Sequence, residues 1–401
     1  MRFAIATLGC KVNQYESQRV RQGLFAAGHL EQPFNEPGAD CYIINTCTIT
    51  HKADAEARRL IRRALRHGVR VVVTGCQVVV YPEDISAIFP EVEVARPDRL
   101  PEILDMDLPP FLSDFGTQSR AFVKVQQGCD RYCTYCIVPL ARGKPHSRPW
   151  QDVVTETRAL HEKGYQEVVL TGINIGLYEG GLTRLIQKLL IHTRIPRIRI
   201  SSMEPWTVED CFIEMLASEP RLCRHLHLPL QHGSDAVLKT MGRPYTAGHV
   251  LTLVGRIRRA SAGMAIGADI IVGFPGEDER AFDDSYGLIE DMDVTYLHVF
   301  PFSPRPGTAA AHMSGRPDDA AVSRRSSCLR ELSRRKRLAF GTSRIGEVEE
   351  VLITHACAGR IRGVSSSYLN VAAAGHGAPG SLVNVRLTGV DGQTLVGETI
   401  G

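Results

Sequence analysis

The chain has 401 residues, 43% of them hydrophobic and 23% charged, with a formal net charge of +3. These proportions exclude a disordered or fibrous protein, the length allows roughly two to three domains, and no apolar run approaches the roughly 18 to 20 residues of a membrane span. Eleven cysteines, an odd number behind an amino terminus without an export signal, point to reduced thiols in the cytoplasm, some of them metal ligands, and away from a disulfide framework.

The first 110 residues alternate strand and helix. Arg2–Leu8 reads as a strand, and Asn13 with Glu16 three positions later resembles a capping box ahead of a helix with Val20, Leu24 and Ala27 on one face. Strands at Tyr42–Asn45, Val69–Thr74 and Val92–Ala95, with helices at Ala53–His67 and Pro82–Phe89, complete a small parallel α/β sheet. The stretch Arg96–Ser119, with four prolines, is the natural boundary.

A second alternating series occupies 119–340. Strand patterns at Phe122–Gln126, Glu167–Thr171, Arg197–Ser201, His225–Leu230, Ala268–Val272 and Tyr296–Phe300 are separated by helical ones, including Gln151–Lys163 and Leu182–His192. Six such units predict a partial (β/α)6 barrel of parallel strands. Residues 341–401 change character again, with short glycine-broken strands at Glu350–Thr354, Leu369–Ala372, Leu382–Leu387 and Thr394–Glu398. These predict a small all-β, OB-like barrel. The overall class is α/β with an appended β-module.

Positive charge is concentrated in two segments. Lys52–Arg70 carries seven basic residues against two acidic ones, and Arg316–Arg344 nine against three. Clustered cations suit a nucleic-acid backbone, while the plainer reading is a pair of solvated helix faces, since Leu60, Ile61, Ala64 and Leu65 recur opposite the arginines.

The cysteines carry the chemistry. Cys129, Cys133 and Cys136 form C-x3-C-x2-C within QQGCDRYCTYCIVP, directly after the first barrel strand, where a parallel barrel places its active-site loops. Three thiolates this close can each ligate one iron of a 4Fe-4S cluster and leave the fourth iron open. A structural zinc wants four ligands, usually in C-x2-C pairs, and no fourth lies nearby in sequence. Cys10, Cys47 and Cys76 each follow a predicted strand, in IATLGC, YIINTC and VVVTGC, spaced 37 and 29 residues apart. The carboxyl ends of parallel strands share one sheet edge. The three thiols therefore meet there as a second ligand set or, on the plainer reading, as buried free cysteines.

The spacing of the second trio, with Tyr135 before its last cysteine, resembles the radical S-adenosylmethionine enzymes. That resemblance implies an open iron chelating the methionyl amine and carboxylate, and one-electron cleavage of the sulfonium to a 5′-deoxyadenosyl radical that attacks an unactivated C–H bond. Over nearly the whole chain the sequence resembles the methylthiotransferase family. LGCKVNQYES (Leu8–Ser17), NTCTIT (Asn45–Thr50) and TGC (Thr74–Cys76) match its amino-terminal domain. GCDRYCTYCIVPLARG (Gly128–Gly143), TGINIG (Thr171–Gly176), RISSMEP (Arg199–Pro205), HLPLQHGSD (His227–Asp235), MGRPY (Met241–Tyr245) and IVGFPGE (Ile271–Glu277) match its barrel. The last segment resembles the TRAM module, an RNA-binding β-barrel, but departs from its pattern around Gly363–Tyr368 and has a net charge of −1.

The family resemblance implies two 4Fe-4S clusters and two S-adenosylmethionines per turnover, one methylating a sulfur at the amino-terminal cluster and one supplying the radical. Cys10, Cys47 and Cys76 would hold the sulfur-donating cluster, and Cys129, Cys133 and Cys136 the radical-generating one. Tyr135, Gly172, Asn174, Ser202, Glu204, Gln231 and Arg243 are the implied cofactor and substrate pocket. Among the family's branches, LGCKVNQYES is most similar to the one acting on threonylcarbamoyladenosine beside the tRNA anticodon. The isopentenyladenosine branch more often reads YGCQMN and the branch modifying a ribosomal-protein aspartate LGCPKN. The implied partners are the tRNA anticodon stem-loop and an electron donor.

The other cysteines, Cys41, Cys211, Cys223, Cys328 and Cys357, have no pairing that suggests a site. His225 and His227 share one face of a strand and read as packing or pocket residues, and GFPGE reads equally as turn chemistry. The rival to an enzyme is a zinc-stabilised RNA-binding protein, disfavoured because two three-thiolate sets make poor zinc cages.

Overall fold

In the computed structural model, which describes residues 1–400, an amino-terminal sheet packs against a partial barrel, and a small closed barrel follows. The sheet has five parallel strands, in the spatial order Leu30–Glu31, Arg2–Thr7, Cys41–Thr46, Arg70–Gly75, Glu93–Val94. Its register aligns Thr7 with Asn45 and Asn45 with Thr74, so the three central strands end level. Helices cover both faces. Ile61 and Ala64 of the helix His51–Leu65 pack with Tyr42, Ile44 and Val73, while Val20 and Leu24 of Lys11–Ala26 pack with Phe3, Ile5 and Ile43.

The expected capping box is absent. The first helix begins after Cys10, whose side chain makes no capping hydrogen bond, and Asn13 lies inside its first turn. Asn13 instead uses its amide at the neighbouring strand ends, donating to Leu8 O at 2.8 Å and Thr46 O at 2.9 Å, and Glu16 pairs with Arg142 at 2.6 Å. Tertiary partners outcompeted the local cap.

The middle of the chain forms two three-stranded parallel sheets. One runs Ala121–Lys124, Glu167–Thr171, Arg197–Ile200, the other His225–Gln231, Ala265–Val272, Tyr296–Pro301. Parallel bridges Ile198–Leu222 and Ser202–His227 join them into one six-stranded partial barrel. Helices wrap its outside over one continuous apolar core. The long helix Asp319–Ser343 explains much of the second basic run structurally. Arg325 is buried against Glu277 at 2.9 Å, Lys336 donates to the carbonyls of Glu290 and Met292, and Arg337 lies over the Tyr296 ring. In the first run, Lys52, Arg59, Arg62 and Arg66 are exposed.

The carboxy-terminal module closes as Val348–Cys357, Arg360–Ser365, Asn370–Ala374, Thr394–Ile400, Leu382–Asp391. The strand Arg360–Ser365 escaped the sequence reading because its two arginines face out and only Ile361, Gly363 and Ser365 are buried. This module is tied to the barrel by Arg199, which binds Glu167 at 2.8 Å and the carbonyls of Ser365 and Ser366 at 3.0 Å each. No helix among the described residues is long and apolar enough to cross a membrane.

Candidate active site

Level strand ends bring Cys10, Cys47 and Cys76 to one edge of the amino-terminal sheet. The Asn13 carboxamide oxygen lies 3.8 Å from both the Cys10 and the Cys76 sulfur. A side chain at Gly9 would press on Cys47 Cβ at 2.8 Å, and Gly9 holds a φ of +96° that favours glycine. Asn45 locks the second turn to the first, donating to Asn13 O at 3.1 Å and Ser17 Oγ at 3.0 Å. Burial pushes the Cys76 thiol up to about 11, with Arg142 acting in the opposite direction. Arg142 donates to Glu16 and to the Asn13 oxygen. Burial would raise the Glu16 pKa, yet Arg142 and then Lys124 outweigh it and hold the carboxyl below its ordinary value.

The second trio sits on one loop. Gly128 at φ +79° starts it, because a Cβ there would run into the Lys144 carbonyl. Cys129 N donates to Gly143 O, Thr134 N to Met241 O, and Ala310 N to Thr134 O, which clamps the loop between barrel segments. Arg243 reaches this loop, with Nη1 3.3 Å from Cys133 Sγ and 3.4 Å from Tyr135 Oη. Its other nitrogens bind Glu204 and Tyr245, and its guanidinium lies over Trp206 at 4.9 Å. Burial pushes Cys136 up to about 12 and raises Glu204, against the pull of Arg243.

The other residues singled out from the sequence divide by place. Asn174 is buried beside Cys129, and its amide meets no partner at hydrogen-bonding geometry. Gln231, at φ +70°, shares a cavity of about 300 Å3 with Tyr135 and Cys136. Ser202 lines a different, smaller cavity in the barrel lumen. Gly172 packs against backbone, since a Cβ there would lie 2.7 Å from Gln126 O. Sequence reasoning missed Asn13 as the bridge of the first trio and Arg142 as its cation. Both lay inside the quoted motifs, LGCKVNQYES and CIVPLARG, but no spacing argument distinguished them.

Among the described residues, only His227, Asp269 and His298 bring three potential metal donors within 4.8 Å of one another. Neither cysteine trio closes that far, whereas Zn–S bonds of ~2.3 Å place tetrahedral sulfurs roughly 3.8 Å apart. Open sets of three thiols suit a multi-iron cluster better than one zinc ion. The orphaned Asn174 amide and the Arg243–Glu204 pair give the second trio a polar lining suited to a charged amino-acid group.

A Radical SAM superfamily model matches residues 123–289, and the model described as Uncharacterized protein family UPF0004 matches 2–95. The threonylcarbamoyladenosine tRNA methylthiotransferase MtaB of Bacillus subtilis is 36% identical over 385 residues, covering 87% of this chain and 84% of that protein. This chain belongs to the radical S-adenosylmethionine methylthiotransferase family. It is an enzyme, and family membership implies S-adenosylmethionine and a 4Fe-4S cluster as cofactors and tRNA as substrate. A tRNA-2-methylthio-N(6)-dimethylallyladenosine synthase of Alkalilimnicola ehrlichii is 34% identical over 437 residues, covering 100% of this chain and 98% of that protein. The fold is shared with the radical S-adenosylmethionine methyltransferase TsrM of Kitasatospora setae, at a TM-score of 0.58 and 16% identity, covering 77% of this chain and 76% of that one.

Proposed function

We propose that this methylthiotransferase acts on threonylcarbamoyladenosine beside the tRNA anticodon, adding a methylthio group at C2 of the base. In this reading Cys129, Cys133 and Cys136 hold a radical-generating cluster, and Cys10, Cys47 and Cys76 a sulfur-donating one. Two S-adenosylmethionines are used per turnover, and an electron donor serves the enzyme in the cytoplasm. When bound, these groups supply one-electron cleavage of a sulfonium and a transferable methylated sulfur, chemistry that no side chain can provide.

The protein's own part is positioning and charge. Arg243 and Glu204 offer a paired cation and anion to a zwitterionic amino-acid group. Tyr135 walls the cavity beside Cys136. The observation that carries the two-cluster reading is Arg142. Its short helix, Val138–Arg142, begins just after Cys136, yet its guanidinium reaches Glu16 and Asn13 at the other trio. One rigid connection thus fixes the two thiol sets relative to each other. The exposed basic face of His51–Leu65 supports docking of the anticodon stem-loop.

Anaerobic reconstitution should load ~8 irons with matching sulfide. The loaded enzyme should then convert a threonylcarbamoylated anticodon stem-loop to its methylthio form by nucleoside mass analysis. Stoichiometric zinc without iron, or conversion of the isopentenylated stem-loop alone, contradicts the reading.

A further inference from the structure

The barrel lumen contains a cavity of about 190 Å3 walled by all three parts of the chain. Lys11 comes from the amino-terminal helix, Tyr368 from the small β-barrel, and the remaining lining from the strands between and from Ser201 and Ser202 just past the end of Arg197–Ile200. It is linked to both trios through its lining. Lys11 follows Cys10 directly, and Asp269 is shared with the adjoining cavity that holds Tyr135, Cys136 and Gln231. The volume is that of about six waters at ~30 Å3 each, enough for a side chain the size of an amino acid.

The uncommitted groups of this wall are polar. Lys11 is half-buried and makes no ion pair or hydrogen bond among the described residues. Ser201 Oγ and His225 Nδ1 are buried without a partner, a costly state that a polar ligand would relieve. The other charges are engaged. Asp269 Oδ1 lies 2.8 Å from His227 Nε2 and 3.3 Å from His298 Nδ1, and Arg199 is held by Glu167 at 2.8 Å. Burial and then Arg199 keep His225 neutral. What remains is one free cation and two unsatisfied polar atoms.

We propose that this cavity receives the threonylcarbamoyl side chain, with Lys11 binding its carboxylate and Ser201 and His225 hydrogen-bonding its other polar atoms. The proposal rests on the substrate reading above. A threonylcarbamoyl group offers an anion, a hydroxyl and carbamoyl atoms to these partners. An isopentenyl group offers none and would leave all three unpaired, the situation in which a polar pocket rejects an apolar analogue most strongly.

The test is equilibrium binding and turnover of three stem-loops by the reconstituted enzyme, carrying threonylcarbamoyladenosine, its carboxyl methyl ester, or isopentenyladenosine. Wild type should bind the acid about 10- to 100-fold more tightly than the ester, the loss expected for one charge-assisted hydrogen bond. Lys11→Met should lose the same factor on the acid and almost nothing more on the ester, with Lys11→Arg restoring most of it. Ser201→Ala, away from both trios, should cost about 3- to 10-fold on the acid and serves as the second variant if Lys11→Met fails to load iron. Equal binding of acid and ester by a wild type that converts the acid overturns the cavity assignment alone. A wild type that converts only the isopentenyl stem-loop overturns both the assignment and the substrate reading.

Discussion

The two cysteine trios are assembled in different ways. Cys129, Cys133 and Cys136 lie within one loop, so their nearness is written into eight residues of chain. Cys10, Cys47 and Cys76 come from three turns of a sheet and meet only because Thr7, Asn45 and Thr74 stand in register. An arginine with a buried side chain stands beside each trio, yet Arg243 approaches a cysteine sulfur directly while Arg142 acts through Asn13 and Glu16. The local set depends on loop geometry, and the dispersed set on the fold of a whole domain.

The largest effect expected from this contrast is loss of metal. Cys133→Ala and Cys47→Ala should each retain about four of ~8 irons, and the double variant none. Iron and sulfide analysis after identical reconstitution checks this, and full iron in either single variant would remove that trio from the assignment.

Glycine substitutions sharpen the contrast. Gly75 has a φ of +99° and a Cβ there would strike Asn45 Oδ1 and Thr46 O, while Gly128 at +79° faces Lys144 O. Either change to alanine costs about 2 to 4 kcal/mol through positive φ and backbone collision. In Gly75→Ala the loss should appear as earlier denaturant unfolding of the amino-terminal sheet together with loss of the first cluster. Gly128→Ala should lose only the second cluster, with the sheet intact by hydrogen exchange. Reversal of that pattern would show that the first trio does not depend on its sheet.

Asn13→Ala is a milder probe of the same dependence. It leaves the carbonyls of Leu8 and Thr46 without the donors now at 2.8 and 2.9 Å, a cost of about 1 to 3 kcal/mol. Iron should fall at the first trio only, as read by reconstitution in a Cys133→Ala background. Unchanged iron there would make Asn13 a bystander.

How far the sequence could carry this picture follows the same division. The nearness of the loop cysteines was legible from spacing alone, and that of the dispersed ones from their places at three strand ends, because strand periodicity and parallel topology are general rules. The strand Arg360–Ser365 and the false capping box at Asn13 show the limit. In both, the deciding partners, a neighbouring barrel strand and the carbonyl of Thr46 at the end of another strand, are distant in sequence. Arg142 and the lumen polar groups were hidden for the same reason, since nothing in CIVPLARG or RISSMEP states which side chains will face one another.

The smallest effect concerns the carboxylates beside the two arginines, which are shifted in opposite directions. At Glu16, burial is outweighed by Arg142, and the folded pKa lies below the ordinary 4.5. Its contribution to stability is therefore present above pH 4.5 and lost as pH falls below that value. At Glu204, burial prevails over Arg243 and the folded pKa lies above 4.5. Its contribution is present below pH 4.5 and lost as pH rises through the folded value. Urea midpoints of the metal-free chain across this range should separate the two. Glu16→Gln should flatten the fall in stability below pH 4.5, and Glu204→Gln should remove a decline above it. If both variants moved the same limb, the two pairs would share one environment, and the contrast between a dispersed site braced by a satisfied ion pair and a local site holding a strained one would not stand.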